Sequence, residues 1–158
     1  MKDYFLRLYI YNNWANEKYF DLLKRLPNVP ERIHLLFSHT VVAQRLWLKR
    51  IVGDPDLSDH IWTIVPWEEL HAIARQNNKN WLDYLNRSDE AEFSRVLSYY
   101  NFQKIHYNNL VSDIIIHTAN HGTYHRAQFA ILLRQNNIDP PNTDFITFVR
   151  ETEGSKVG

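Results

Sequence analysis

The sequence predicts an all-α domain, and three observations support this prediction. The 158 residues include only four glycines and six prolines. Apolar residues recur at helical spacing along most of the chain. Four long segments are amphipathic, and because each apolar stripe must be buried against another, they favour a four-helix bundle. A chain of this length is expected to form one domain over residues 1–158.

The first two helices are predicted from their apolar stripes and from the prolines beside them. The first helix covers about residues 3 to 26 and is expected to stop at Pro27. The second has Pro30 in its first turn and ends near Gly53. Residues 53–66, "GDPDLSDHIWTIVP", are then predicted to form a loop.

The second half of the chain is predicted to contain two further long helices. The third helix starts around Pro66 and continues to Leu85, and the fourth covers about residues 109 to 136. The stretch between them lacks helical periodicity, and its β-branched and aromatic residues predict a loop or a short β-hairpin. A short helix is expected to follow around "DFITFVRE".

Composition and charge argue against several classes of partner and site. Lys plus Arg and Asp plus Glu both count 18, so no excess of positive charge indicates nucleic acid or an anionic membrane as a partner. The absence of cysteine excludes disulfides, a thiol nucleophile and zinc sites built on thiolates. The N-terminus does not resemble a secretory signal, and no apolar run reaches about 18 residues. We therefore expect a cytoplasmic protein.

Three histidines at intervals of four stand in "HTANHGTYHRAQ", residues 117–128. Residues four apart on a helix are offset by about 40° around the axis and about 6 Å along it, so His121 and His125 can turn toward one metal ion. His117 lies a further turn away. A third ligand is therefore expected from another helix.

His39 is the candidate for that third ligand, because it lies between Leu36 and Ala43 on the apolar stripe of the second helix. Neutral imidazole suits zinc, nickel, copper and iron, and three protein ligands with one open position are typical of catalytic sites. The alternative is a set of core histidines satisfied by hydrogen bonds. Gly122 stands where the His-Glu-x-x-His metalloproteases have glutamate, so peptide hydrolysis by that route is not expected.

Several other residues leave two interpretations open. Gly122 costs a helix interior about 1 kcal/mol, which indicates either a close neighbouring helix or an incidental residue. Asn12 and Asn16 interrupt the apolar stripe of the first helix, and they either support the metal site or are satisfied amides away from it. His117 and Gln128 are expected on the core-facing stripe of the last helix, where they would support the metal ligands or line the pocket beside them. The five tryptophans could line a pocket or belong to plain core.

These motifs together resemble the DinB/YfiT family of metal-dependent enzymes. The resemblance covers nearly the whole chain and rests on "YNNWAN", on the lone histidine in "LLFSHTVVAQRLW", and on "HTANHGTYHRAQFAILLRQNNIDPPNTDFITFVRE". It implies a four-helix bundle with long crossover connections, commonly a homodimer, and a divalent metal held by His39, His121 and His125. Ala127 stands where the family often has glycine, and Gly122 replaces a polar or acidic residue, so the resemblance constrains the substrate least.

The function that the resemblance implies is a metal-dependent reaction on a small-molecule substrate. Similar proteins include transferases that use low-molecular-weight thiols such as bacillithiol, and a mycothiol-dependent isomerase. Zinc or nickel is the expected metal, and a thiol must be a cosubstrate because the chain has no cysteine. We expect a thiol-dependent S-transferase or a hydrolase. The alternatives are a non-catalytic, stress-associated metal-binding protein and a helical interaction module without a metal.

Overall fold

Most of the chain is helical, as the sequence predicts. A computed structural model describes residues 1–152 and 154. In chain order, the elements are α1 (Lys2–Leu23), α2 (Glu31–Val52), α3 (Trp67–Arg87), α4 (Glu90–Ser94), β1 (Val96–Tyr100), β2 (His106–Leu110), α5 (Val111–Gln135) and α6 (Phe145–Thr152). No helix in the described part of the chain is long and apolar enough to cross a membrane.

The ends of the first two long helices follow local backbone chemistry. α2 follows Pro30 and ends at Gly53, whose φ of 73° is left-handed and suits a residue without a Cβ. α1 ends at Leu23, which is three residues earlier than predicted. Residues 24–26 continue as a tighter turn whose last two amides bond back three residues rather than four, because a residue before proline avoids the α conformation.

The predicted hairpin between the third and fourth long helices is confirmed. β1 and β2 pair antiparallel, with Val96 opposite Leu110. The short helix α4 just before the hairpin was not predicted. It begins at Asp89, whose carboxylate accepts a hydrogen bond from the Glu92 amide at 2.9 Å, which is a standard N-terminal cap.

The four long helices bury two separate apolar clusters with a polar layer between them. α1 and α2 each pack against both α3 and α5. One cluster lies at the hairpin end and includes Phe5 and Trp81, and the other includes Phe37 and Phe129. On each long helix, buried polar residues lie in sequence between the residues of the two clusters. They include Asn12, Asn16, Gln44, Asn77, His125 and Arg126, and the buried His39 and Thr118 border this layer, next to the cluster residues Val41 and Ala119.

Candidate metal centre

Three histidines converge in the polar layer. His39 comes from α2, and His121 and His125 come from α5. The Nε2 atom of His121 lies 3.2 Å from Nε2 of His39, 82 positions away in sequence, and 3.1 Å from Nε2 of His125. One ring nitrogen of each histidine lies within 4.8 Å of those of the other two. The structure thus brings together the three histidines that the sequence singled out.

The spacing of these nitrogens fits a metal ion. Zinc–nitrogen bonds of about 2.0–2.1 Å in a tetrahedral site place two ligand nitrogens about 3.3 Å apart. The two shorter separations in this cluster, 3.1 and 3.2 Å, are close to that value. Within the described residues, no carboxylate and no fourth histidine joins the group. The cluster is therefore compatible with a metal that keeps one position for a ligand from outside the protein.

The hydrogen bonds around the cluster orient two of the three rings. His39 donates from Nδ1 to the Ile61 carbonyl at 2.9 Å, and His125 donates from Nδ1 to Gln128 Oε1 at 2.8 Å. Both partners are oxygens that only accept, so the proton of each neutral ring is on Nδ1. Each Nε2 then directs a lone pair into the cluster, which is the tautomer that a metal requires.

Burial keeps the three imidazoles in the neutral form that binds metals. Burial lowers the pKa of His39 and of His125, although the hydrogen bonds to Ile61 and Gln128 act in the opposite direction. Burial, followed by the charges of neighbouring histidines, lowers the pKa of His121 to about 3. All three rings are therefore neutral at pH 7, and no proton has to leave before a metal can bind.

His117 lies outside the cluster and is exposed, so the prediction that it faces the core is wrong. Its ring centroid is 5.7 Å from that of His121. Each step of four residues turns about 40° around a helix, so His117 and His125 point about 80° apart. The buried stripe of α5 includes Thr118 and not the adjacent His117.

The two asparagines of α1 hold an arginine rather than a histidine. Arg126 is 2% exposed and donates from Nη1 to the Oδ1 atoms of Asn12, at 2.7 Å, and Asn16, at 3.1 Å. Gly122 faces this network, because a Cβ built there would be 2.5 Å from Asn12 Oδ1. The glycine therefore reflects a close neighbouring helix. Arg126, the centre of this network, directly follows His125 in sequence.

A cavity of about 260 Å³ adjoins the histidines. Trp62 stacks on His39, with ring centroids 3.8 Å apart and planes within 8°. The cavity is lined by residues of α2, the α2–α3 loop, the hairpin and α5: His39, Ala43, Leu46, Trp47, Arg50, Ile61, Tyr99, Asn101, Phe102, Tyr107 and His121. Sequence reasoning missed the hairpin residues and the Ile61 carbonyl, because neither carries a motif.

The α2–α3 loop, residues 53–66, is attached to α2 by ion pairs. Arg45 and Lys49 contact Asp59 at 2.6 and 3.3 Å, and Lys49 also contacts Asp56 at 3.0 Å. The loop residues of these pairs, Asp56 and Asp59, lie just before Ile61 and Trp62 in the chain. The loop is thereby held where it can contact the ring of His39.

Comparison with known proteins identifies the family. The DinB family model matches residues 1–155, which include all three converging histidines. Protein DinB of Bacillus subtilis (strain 168) is 26% identical to this chain over an alignment of 175 positions that covers 99% of each chain. A match of this extent includes the helices of the histidine cluster and the hairpin beside it, and it shows that the chain belongs to the DinB family.

Proposed function

We propose that His39, His121 and His125 bind a divalent transition metal, zinc or nickel, and that the site is catalytic. The supporting observation is the convergence of three neutral imidazoles at ligand spacing beside a cavity. A metal bound there supplies an acidifying centre that lowers the pKa of a thiol or of water. The reaction is a thiol-dependent S-transfer or a hydrolysis on a small-molecule substrate.

The residues around the cluster position the ligands and limit access. The Ile61 carbonyl and the Gln128 amide hold His39 and His125 in the metal-binding tautomer. Trp62 covers one face of His39 and keeps water from that side. The cavity of about 260 Å³ admits a small molecule to the open side. Any thiol comes from a low-molecular-weight cosubstrate, since the chain has no cysteine.

We also propose the arrangement that the resemblance implies, a four-helix bundle with long crossover connections that acts as a homodimer in the cytoplasm. The packing of α1 and α2 against both α3 and α5 supports the bundle.

Metal analysis of protein purified without a nickel resin tests the ligand assignment. We expect one metal ion per chain, and we expect each of His39→Ala, His121→Ala and His125→Ala to lose it, because each removes one of three protein ligands. The matched control is His117→Ala, which changes an exposed histidine of α5, the helix that carries His121 and His125. This variant should lower the affinity for the metal at most about 10- to 100-fold. Loss of the metal from His117→Ala, with His39→Ala still loaded, contradicts the assignment.

Absorption spectroscopy of the cobalt-substituted protein separates an enzyme from a passive metal-binding protein. A small thiol should produce a sulfur-to-metal charge-transfer band, because a thiol bound to the ion is deprotonated. The band should be absent in His121→Ala. A spectrum that no thiol changes favours the non-catalytic, stress-associated metal-binding protein.

A further inference from the structure

Arg50 is a charged side chain in the wall of the cavity beside the candidate metal centre. Its guanidinium carbon lies 4.8 Å from the ring centroid of Trp47 and 5.4 Å from those of Tyr99 and Phe102. Trp47 belongs to α2, whereas the other two rings come from the hairpin. The cation thus lies among three aromatic side chains, whose ring faces attract it.

The guanidinium of Arg50 has no anionic partner within the described residues. Its Nε atom is buried and makes no hydrogen bond, and no carboxylate forms an ion pair with the side chain. Burial lowers the pKa of Arg50, and the nearby Tyr99 acts in the opposite direction, so the charge is partly removed from water. Arg45 and Lys49, on the same helix, both pair with Asp59. The neighbouring cations therefore have carboxylate partners, whereas Arg50 has none among the described residues.

The composition of the cavity makes this arginine its dominant charge. None of the lining residues in the described chain is an aspartate or a glutamate, and the histidines that line it are neutral. Arg50 follows His39 by eleven positions on α2, so their Cα atoms are about 16 Å apart along the axis. Arginine side chains in helices extend toward the N-terminus. One elongated small molecule can therefore reach both residues.

We propose that Arg50 binds a carboxylate of the small molecule that reacts at the histidine cluster. The guanidinium is planar and presents its N–H donors as a fork that matches a carboxylate, and the aromatic rings confine a planar group beside it. The inference rests on the proposed function for the position of the reacting atom. It adds the substrate class, which is an organic acid with its carboxylate remote from that atom.

Binding measurements with two matched probes test this role. The probes are 6-mercaptohexanoate and its uncharged amide, titrated into the metal-loaded protein and followed by tryptophan fluorescence, which Trp47 makes sensitive to the cavity. We expect the carboxylate to bind at least about 10-fold more tightly than the amide, as a charged hydrogen bond allows. Arg50→Met, which keeps an apolar stem among the rings, should reduce the ratio to about 1, because the carboxylate loses more affinity than the amide.

Two controls keep the result specific to the guanidinium. Arg50→Lys keeps the charge but not the fork and should retain only part of the preference. Arg87→Met, at the exposed end of α3, should leave the ratio unchanged. A wild-type ratio near 1, or a ratio that Arg50→Met does not change, overturns the proposal. The wild-type ratio needs no variant, so the proposal is tested even if both Arg50 variants fail to fold.

A metal-free arm separates this inference from the proposed function and identifies which molecule carries the carboxylate. Hexanoate, which has no thiol, should bind the metal-free wild type and not Arg50→Met, even if the protein proves to hold no metal. If 6-mercaptohexanoate binds the metal-loaded protein more tightly than both hexanoate and the thiol amide, the thiol cosubstrate carries the carboxylate. If hexanoate binds as tightly as 6-mercaptohexanoate, the carboxylate belongs to the second substrate.

Discussion

Gly122 shows how one missing side-chain carbon sets the distance between two helices. Its position on α5 leaves room for the Asn12 side chain of α1, which accepts a hydrogen bond from the buried Arg126. Arg126 itself follows His125 in sequence. The glycine therefore contributes to the position of the α5 segment that carries two of the three converging histidines, although it contacts none of them through a side chain.

Gly122→Ala should destabilise the protein by up to about 2 kcal/mol, because overpacking of a close contact costs about 1–3 kcal/mol and alanine regains about 1 kcal/mol of helix propensity. The added Cβ would lie 2.5 Å from Asn12 Oδ1 and 3.0 Å from Arg126 Nη1. Urea unfolding measures the difference. The control is Asn120→Ala on the exposed face of the same helix, which should stay within about 0.5 kcal/mol of wild type. A Gly122→Ala variant as stable as wild type contradicts the close contact.

Residue spacing was sufficient to single out the three converging histidines, but it was not sufficient to find what surrounds them. His121 and His125 follow from a spacing of four, and His39 from its place on an apolar stripe. The error at His117 arose because repeated steps of four residues turn away from the buried stripe. The carbonyl of Ile61 reaches His39 from a loop, and a loop position depends on tertiary contacts that no local pattern records.

At the scale of elements, Arg95 connects the hairpin to α2 and to α3. It donates to the Ile51 carbonyl at 2.9 Å and to Glu92 Oε1 at 2.7 Å, and Tyr84 of α3 donates to the same carboxylate at 2.6 Å. This cluster lies at the start of the hairpin that carries Tyr99 and the other cavity residues. The base of the hairpin is therefore held to its neighbours by a local ionic contact.

Glu92→Gln should cost about 1 kcal/mol at pH 6, and the cost should fall as the pH is lowered below about 4.5. The Arg95 guanidinium, with a hydrogen bond from Tyr84, holds the pKa of Glu92 below its ordinary value of 4.5. The Glu92 carboxylate therefore binds a proton more readily in the unfolded state. Its contribution to the free energy of unfolding is complete above about pH 4.5 and is lost as the pH falls through the lowered pKa of the folded state. Urea unfolding of variant and wild type across this range measures the difference.

The control for this prediction is Asp83→Asn, which neutralises an exposed carboxylate on α3. Its difference from wild type should stay small at every pH. If the difference between Glu92→Gln and wild type is the same at pH 6 and pH 3, then the ionised carboxylate does not stabilise this junction.

The sequence predicted the long elements better than the short ones. A glycine after α2 and a proline before it mark both ends of that helix. α4 has only five residues, which is too short for a periodic pattern, and only its Asp89 cap distinguishes it from a loop. The hairpin was left as an alternative because its β-branched and aromatic residues favour a strand without fixing the pairing.

At the scale of the whole molecule, the histidine cluster joins two helices that are distant in sequence. His39 and His121 are 82 positions apart, and the segment between them contains α3, α4 and the hairpin. The chain has no cysteine that could form a covalent link. A metal held by all three histidines would therefore connect α2 with α5 across a large part of the fold.

Zinc should stabilise the metal-free protein by about 2.7 kcal/mol when its free concentration is 100 times the dissociation constant. The reason is mass action, since only the folded chain brings the three histidines together. The midpoint of urea unfolding, with and without zinc, measures the effect. His121→Ala should abolish it. An equal shift in His121→Ala would mean that zinc binds elsewhere.

The α2–α3 loop links the behaviour of the histidine cluster to the ionic composition of the solution. The three imidazoles are neutral at pH 7, so dissolved salt has little direct effect on them. The loop that holds His39, however, is attached through Lys49 and Asp56, and Asp56 is exposed. Dissolved ions screen such exposed pairs, with a Debye length of about 8 Å at physiological ionic strength. The pairs of Asp59 with Arg45 and Lys49 are more buried and less screened, so we expect the orientation of an uncharged ring to depend weakly on ionic strength, through the exposed pair of the loop that holds it.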